Sequence, residues 1–94
     1  MNKNIIFIGS NSNFVQNIIQ NKYLLKNYNE IFLLSHRHYK GIETDYIVLD
    51  NLNTFEIFET IKKIVRKTKM GIFWDILISN TPPQCSNFNN HVIR

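Results

Sequence analysis

Four short runs of apolar residues limit the folds open to this chain more than any other feature. The runs cover residues 5–8, 31–34, 46–49 and 74–78, and a single acid, Asp75, interrupts the last of them. Runs of this length, rich in β-branched residues and without polar alternation, are typical of strands that are buried on both faces of a parallel sheet. We therefore expect four such strands.

Two segments between the runs have the spacing of amphipathic helices. One apolar stripe begins after Ser12 and consists of Phe14, Val15, Ile18, Ile19 and Leu25, and a second consists of Ile57, Phe58, Ile61, Ile64 and Val65. Asn53 and Glu56 are spaced as in a capping box, which predicts that the second helix begins there. Residues 37–44 are polar and contain Gly41, so they are predicted to form a loop.

The resulting order, β-α-β-β-α-β, predicts an α/β fold with three layers (αβα) and a mainly parallel, Rossmann-like sheet. Right-handed crossovers give four strands in the order 3-2-1-4. A ferredoxin-like fold has the same element order, but its antiparallel strands usually keep one polar face. We expect a truncated Rossmann-like domain over residues 1–82 and an irregular tail over residues 83–94, because two prolines, Pro82 and Pro83, prevent regular structure there.

Small polar residues follow all four runs, at the end of the strands where parallel sheets bind ligands. They are Gly9, Ser10, Asn11, Ser12 and Asn13 after the first run, Ser35, His36 and Arg37 after the second, Asp50 and Asn51 after the third, and Ser79, Asn80 and Thr81 after the fourth. A loop of small residues that leads into a helix presents free N–H groups and the positive end of the helix dipole to an anion. The sequence thus predicts an anion site at this end of the sheet.

The loop after the first run resembles a family motif. Residues 9–15, GSNSNFV, align without a gap with Gly-x-x-x-Gly-x-Gly, which follows the first strand of short-chain dehydrogenase/reductases. Gly9 is retained, and Asn13 replaces the second glycine with a residue that tolerates positive φ. Val15 replaces the third glycine, which usually allows close packing of helix on strand, so we expect weak pyrophosphate binding.

Three further positions agree with this family in order and spacing. Arg37 follows the second strand, where members that prefer NADP often have a basic residue, and no acid occurs between Ile31 and Ile42. Asp50 matches the acid that holds the adenine amino group, and Asn80 matches an asparagine of the Asn-Asn-Ala-Gly stretch on the fourth strand. His36 is expected to assist Arg37 at the 2′-phosphate when it is protonated.

The resemblance covers residues 3–82 and implies the N-terminal half of an NAD(P)-binding Rossmann domain of an oxidoreductase. The implied cofactor is NADP, or NAD, and the dinucleotide is the expected partner. The implied cofactor-binding residues are Gly9, Ser10, Asn11, Ser12, Asn13, Phe14, Ser35, His36, Arg37, Asp50, Asn51 and Asn80.

The catalytic residues of this family have no counterpart among the 94 residues. Its chemistry needs a Tyr with a Lys four residues later, and no tyrosine here has one. Its catalytic Ser lies on a fifth strand. We therefore expect a fragment of a longer enzyme, a truncated gene product or half of a split assembly. Alone it should lack activity, and it should be marginally stable or form a homo-oligomer in place of the missing C-terminal half.

Other functions stay open at the level of sequence. The main alternative is a Rossmann-like interaction module without a cofactor. A receiver domain has an Asp at the position of Asp50, but it also needs an acidic pair after the first strand, where Gly9, Ser10 and Asn11 stand. A metal site would use His36, His38, Cys85 and His91, although a His-x-His pair in a loop is more often plain surface.

Charge and cysteine content bear on partners and compartment. The net charge is +4, and five basic residues fall within residues 62–69, where cations at a helix end interact favourably with the macrodipole. We expect no nucleic-acid partner. The lone Cys85 cannot form an internal disulfide, and the first apolar run is too short for a signal peptide or a membrane span. These features predict a cytoplasmic protein that does not bind a membrane.

Overall fold

The computed structural model describes residues 2–79, which form four strands and three helices. The elements are β1 (Lys3–Ile8), α1 (Asn13–Gln20), α2 (Lys22–Leu25), β2 (Glu30–Leu34), β3 (Ile47–Leu49), α3 (Thr54–Lys67) and β4 (Phe73–Ile78). Each predicted strand is present, and its ends lie within two residues of the predicted ones. The tail predicted over residues 83–94 lies outside the described residues.

All strand pairs of the sheet are parallel, and the strand order is β3-β2-β1-β4. The predicted fold class and strand order are therefore confirmed. β1 is central, with Ile6 paired to Phe32 on one side and to Ile76 on the other. β3 begins one residue later than predicted, because the N–H of Tyr46 donates to Thr44 Oγ1 (3.2 Å) in the preceding turn.

Alternate residues of β1 point to opposite faces of the sheet and supply two separate cores. Phe7 packs with Val15 and Ile19 of α1, whereas Ile6 packs with Ile57 of α3. Neither Phe7 nor Ile6 has exposed area. Helices thus cover both faces of the central strand, which confirms the three layers. The connecting loops are left at the two ends of the strands.

Both longer helices begin with a side-chain cap, which satisfies N–H groups that lack an intrahelical partner. Ser12 Oγ accepts the N–H of Val15 (3.2 Å) at the start of α1. At the start of α3, Asn53 Oδ1 accepts the N–H of Glu56, and Glu56 Oε1 accepts the N–H of Asn53, both at 2.8 Å. The predicted capping box is confirmed.

The buried faces of α1 and α3 are narrower than the apolar stripes predicted from the sequence. Phe14, Phe58 and Val65 are 57 %, 58 % and 39 % exposed, although each was expected on a buried face. The buried faces of the two helices are centred on Val15 and Ile57, and the exposed residues lie beside them around each helix. The first stripe is also interrupted, since α1 ends at residue 20 and a separate turn, α2, follows.

The connection between β2 and β3 contains no helix. Residues 35–46 lead from the carboxyl end of β2 to the amino end of β3, because the two strands are parallel, and residues 37–44 form a loop as predicted. The first part of this connection lies next to the residues that follow β1 and β3, since His38 and Lys40 contact Asn11 and Tyr39 contacts Asp50. Its position brings the predicted site residues together.

Candidate functional site at the carboxyl end of the sheet

The glycine loop, residues 9–13, follows β1 and is held against both neighbouring strands. Gly9 has a φ of 88°, and a β-carbon there would collide with the carbonyl oxygen of Ser79 at the end of β4. The N–H of Gly9 donates to the carbonyl of Leu34 (2.9 Å) at the end of β2. Only glycine combines this φ with so close an approach of the backbone. The retained glycine of the motif is therefore explained by the fold itself.

The serines of the glycine loop fix its shape. Ser10 is fully buried, and its hydroxyl donates to the carbonyl of Leu34 (3.0 Å). Ser12 caps α1 and also accepts a hydrogen bond from the hydroxyl of Ser79 (2.8 Å). Both hydroxyls are thus engaged within the protein. What the loop offers a ligand is its backbone.

The first turn of α1 supplies open hydrogen-bond donors. Asn13 and Phe14 begin the helix, so their N–H groups have no intrahelical acceptor. Their side chains are exposed, and no acid lies in this turn. The positive end of the helix dipole is therefore accessible here, as a phosphate group requires.

The residues after β2 face in different directions. Ser35 is buried, and its hydroxyl donates to the carbonyl of Arg37 (2.6 Å), which shapes the turn. His36 Nδ1 lies 2.9 Å from the carbonyl of Leu52, towards the loop after β3. Arg37 is exposed and lines a cavity beside the glycine loop.

The cavity beside the glycine loop has a volume of about 700 Å³. Three basic side chains line it, those of Arg37, His38 and Lys40, together with amides from the glycine loop and α1. The sequence prediction included Arg37 and His36 but missed His38 and Lys40. The four basic residues within residues 36–40 were the available signal.

Asp50 is bound to the loop that precedes it. Its Oδ2 accepts the N–H of Tyr39 (2.9 Å) and lies 3.0 Å from His38 Nδ1. The hydrogen bond from Tyr39, followed by the nearby His38, lowers the pKa of the Asp50 carboxyl. The carboxylate keeps partial exposure, so its other oxygen can accept a ligand donor. Asn51 follows with a φ of 57° and turns the chain towards α3.

Cavity volume alone does not single out this end of the sheet. Another cavity, of about 670 Å³, opens at the amino end beside Phe32, Ile64 and Lys69. The carboxyl end differs because it combines basic side chains with the open first turn of α1. Those two features together suit a phosphate-bearing ligand.

Some predicted residues fall elsewhere. Asn80, Cys85 and His91 lie outside the described residues. His36 and His38 contact different partners, Leu52 and Asp50. Within residues 2–79 there is no group of three or more His, Cys, Asp or Glu side chains arranged to hold a metal ion. In the same range, no helix has both the length and the apolar character to cross a membrane.

Comparison of the chain with family models, with curated proteins and with solved structures finds no match.

Proposed function

We propose that the carboxyl end of the sheet binds a dinucleotide, NADP in preference to NAD, as in the N-terminal part of a short-chain dehydrogenase/reductase-type oxidoreductase. One observation supports this most strongly. The glycine loop and the basic residues after β2 line one cavity. The glycine loop follows β1, where the strand order changes direction, with β2 on one side of β1 and β4 on the other. Open parallel sheets bind nucleotides at such a switch point.

The pyrophosphate is expected over the first turn of α1. The N–H groups of Asn13 and Phe14 lack an intrahelical acceptor in this turn, and Gly9 shapes the loop that leads into it. Val15 is fully buried against the sheet core, so its side chain points away from this turn. The weak pyrophosphate binding that was expected from Val15 stays a prediction.

The preference for NADP follows from charge. Arg37 and Lys40 are exposed cations beside the cavity, and the nearest acid, Asp50, already faces His38. A 2′-phosphate can therefore accept charge-assisted hydrogen bonds without repulsion from an unpaired carboxylate. NAD has no group to use these cations.

The proposal concerns binding. No tyrosine in the sequence has a Lys four residues later, so these 94 residues lack the Tyr–Lys pair that this family uses for hydride transfer. The oxidoreductase assignment is supported by the four motif positions and by the strand order.

Substitution of Arg37 tests the proposal. Each charge-assisted hydrogen bond contributes about 1.5–3 kcal/mol, so Arg37→Ala should lower NADP affinity about tenfold or more. NAD affinity should stay unchanged. Titration calorimetry measures both ligands on the wild type and the variant.

Lys69→Ala is the matched control, because Lys69 is an exposed loop cation at the opposite end of the sheet. It should leave both affinities unchanged. Equal affinity of the wild type for the two dinucleotides, or an equal loss in both variants, would contradict the proposal.

The alternative, an interaction module, is supported by the outer edge of β4. Phe73, Ile76 and Ile78 of this strand are 69 %, 48 % and 66 % exposed. An apolar edge strand can pair with another chain. Self-association in sedimentation, together with no binding of either dinucleotide, would favour this function.

A further inference from the structure

We infer that Asn11 and Gln16 are positioning residues, an amide clamp that holds the basic loop (residues 36–42) in the arrangement that selects NADP. The inference rests on the proposed function and concerns how the same site achieves its preference. Asn11 belongs to the glycine loop and Gln16 to α1. The clamp therefore couples the two parts of the site that would contact the pyrophosphate and the 2′-phosphate.

Asn11 binds the basic loop through both atoms of its amide. Its Nδ2 donates to the carbonyl of His38 (3.1 Å), and its Oδ1 accepts the N–H of Lys40 (2.9 Å). These are the two backbone groups that flank Tyr39. The side chain thus pairs with the loop as the backbone of a neighbouring strand would.

Gln16 makes the second attachment. Its Oε1 accepts the N–H of Ile42 (3.3 Å), and its Nε2 donates to the Tyr39 hydroxyl (3.2 Å) and to the carbonyl of Ser10 (2.6 Å). A β-carbon on Gly41 would collide with the Gln16 amide and with the Tyr39 ring. The loop therefore packs tightly against this side chain.

Residues 38–42 depend on side chains for their order. Within the described part of the chain, their backbone groups make no hydrogen bond to another backbone group. Asn11, Gln16 and Tyr39 supply the contacts described above, and Asp50 accepts the N–H of Tyr39. A loop held in this way loses its shape when its side-chain partners are removed, since nothing in the sheet replaces them.

The consequence for binding is selective. Lys40 is one of the clamped residues and Arg37 directly precedes them, and both line the cavity. When the clamp is removed, the cations stay present but must be ordered at the moment of binding, which lowers affinity for the ligand that uses them. NADP should be affected and NAD should not, because only NADP has the 2′-phosphate.

The test compares Asn11→Ala and Gln16→Ala with Asn17→Ala. Asn17 follows Gln16 on α1, is exposed and is not among the residues that line the cavity. Hydrogen exchange at the N–H groups of Lys40 and Ile42 reports the clamp without any ligand, and trypsin cleavage after Lys40 reports the same loop. Titration calorimetry gives the ratio of NADP to NAD affinity.

We expect faster exchange and faster cleavage in the two clamp variants, and a fall of about fivefold to tenfold in the affinity ratio. Asn17→Ala should match the wild type in each measurement. Unchanged exchange in both clamp variants would overturn the clamp. Faster exchange with an unchanged affinity ratio would overturn its role in selectivity and leave the proposed function standing. A wild type that binds neither dinucleotide would overturn the proposed function itself, whatever the exchange rates.

Discussion

The two ends of the parallel sheet use the same kinds of residue for different purposes. Towards the amino end, Asp75 of β4 accepts a hydrogen bond from the Tyr28 hydroxyl (2.5 Å) and lies 3.3 Å from Lys3 Nζ. At the carboxyl end, Asp50 is bound by Tyr39 and His38 of a loop. The contacts of Asp75 join β1 and β4 to the apolar core beneath them. The contacts of Asp50 join a loop to the sheet.

This difference separates stability from binding. Loss of a contact at the amino end is expected to weaken the fold without changing the ligand site. Loss of a contact at the carboxyl end is expected to disturb the site and to leave the sheet intact. Variants made in pairs, one at each end, can break or sharpen this comparison.

The largest effect is expected from the two glycines with positive φ. Gly9, at the carboxyl end, has a φ of 88°, and Gly71, at the amino end, has a φ of 93°. Alanine costs about 1–2 kcal/mol in this conformation at either position. At Gly9 the added carbon also meets the Ser79 carbonyl, whereas nothing lies within 4 Å at Gly71.

We therefore expect Gly9→Ala to lower the free energy of unfolding by about 3 kcal/mol or more, and Gly71→Ala by about 1–2 kcal/mol. Urea denaturation measures both. Equal losses would show that the approach of Ser79 does not constrain Gly9. This pair is the one case in which a carboxyl-end variant should also weaken the fold.

A second pair of variants changes one hydrogen-bonding side chain at each end of the sheet. Tyr28→Phe removes the hydrogen bond to Asp75 and should lower the free energy of unfolding by about 1 kcal/mol. Dinucleotide affinity should not change. Asp50→Asn should lower the affinity for NADP and NAD alike by several-fold, because both ligands contain the adenine that this residue is proposed to hold.

Thermal unfolding and calorimetry on the same two proteins provide the measurement. The comparison between the ends fails if Tyr28→Phe changes dinucleotide affinity. It also fails if Asp50→Asn destabilises the fold as much as Tyr28→Phe does.

The smallest effect is a loss of stability at alkaline pH, which belongs to the amino end alone. The hydrogen bond to Asp75, together with burial, raises the pKa of Tyr28 to about 12. A raised pKa in the folded state means that the stabilisation is complete below the unfolded pKa of about 10 and is lost as the pH rises through 12. The stability difference between the wild type and Tyr28→Phe should therefore shrink between about pH 10 and 12.

The loss of folding stability at low pH involves both ends of the sheet. The pKa of Asp75 is lowered, chiefly by the Tyr28 hydroxyl, and that of Asp50 is lowered, chiefly by the Tyr39 N–H. Their contributions are present above the unfolded pKa and lost as the pH falls below about 4. If the stability difference between the wild type and Tyr28→Phe persists unchanged at high pH, the loss of stability at alkaline pH does not come from Tyr28.

The elements of the fold follow from local patterns, which explains why they could be predicted. Continuous apolar runs mark strands covered on both faces, and the Asn53–Glu56 spacing marks the beginning of α3. The exposure of Phe14 and Phe58 could not be read in the same way. A stripe shows which residues share a helix side, but the neighbouring elements decide how much of that side is covered.

The candidate site was predicted only in outline. The rule that parallel strands bind ligands at their carboxyl ends located Gly9, Arg37 and Asp50. The roles of Asn11 and Gln16 depend on contacts with residues more than twenty positions away, and amides are too common in this chain to signal them. Nothing in the local sequence distinguishes an amide that binds a loop from one that faces solvent.

The position of β1 has a consequence for the order in which the chain assembles. β1 is the first and its partner β4 the last described element of the sequence, so β1 is synthesised well before β4. One side of β1 can pair with β2 early, while the other side must wait until nearly the whole described chain has left the ribosome. Contacts between residues so far apart in sequence form slowly. During synthesis the central strand is thus a temporary edge, and this is the stage at which a nascent chain is most exposed to mispairing.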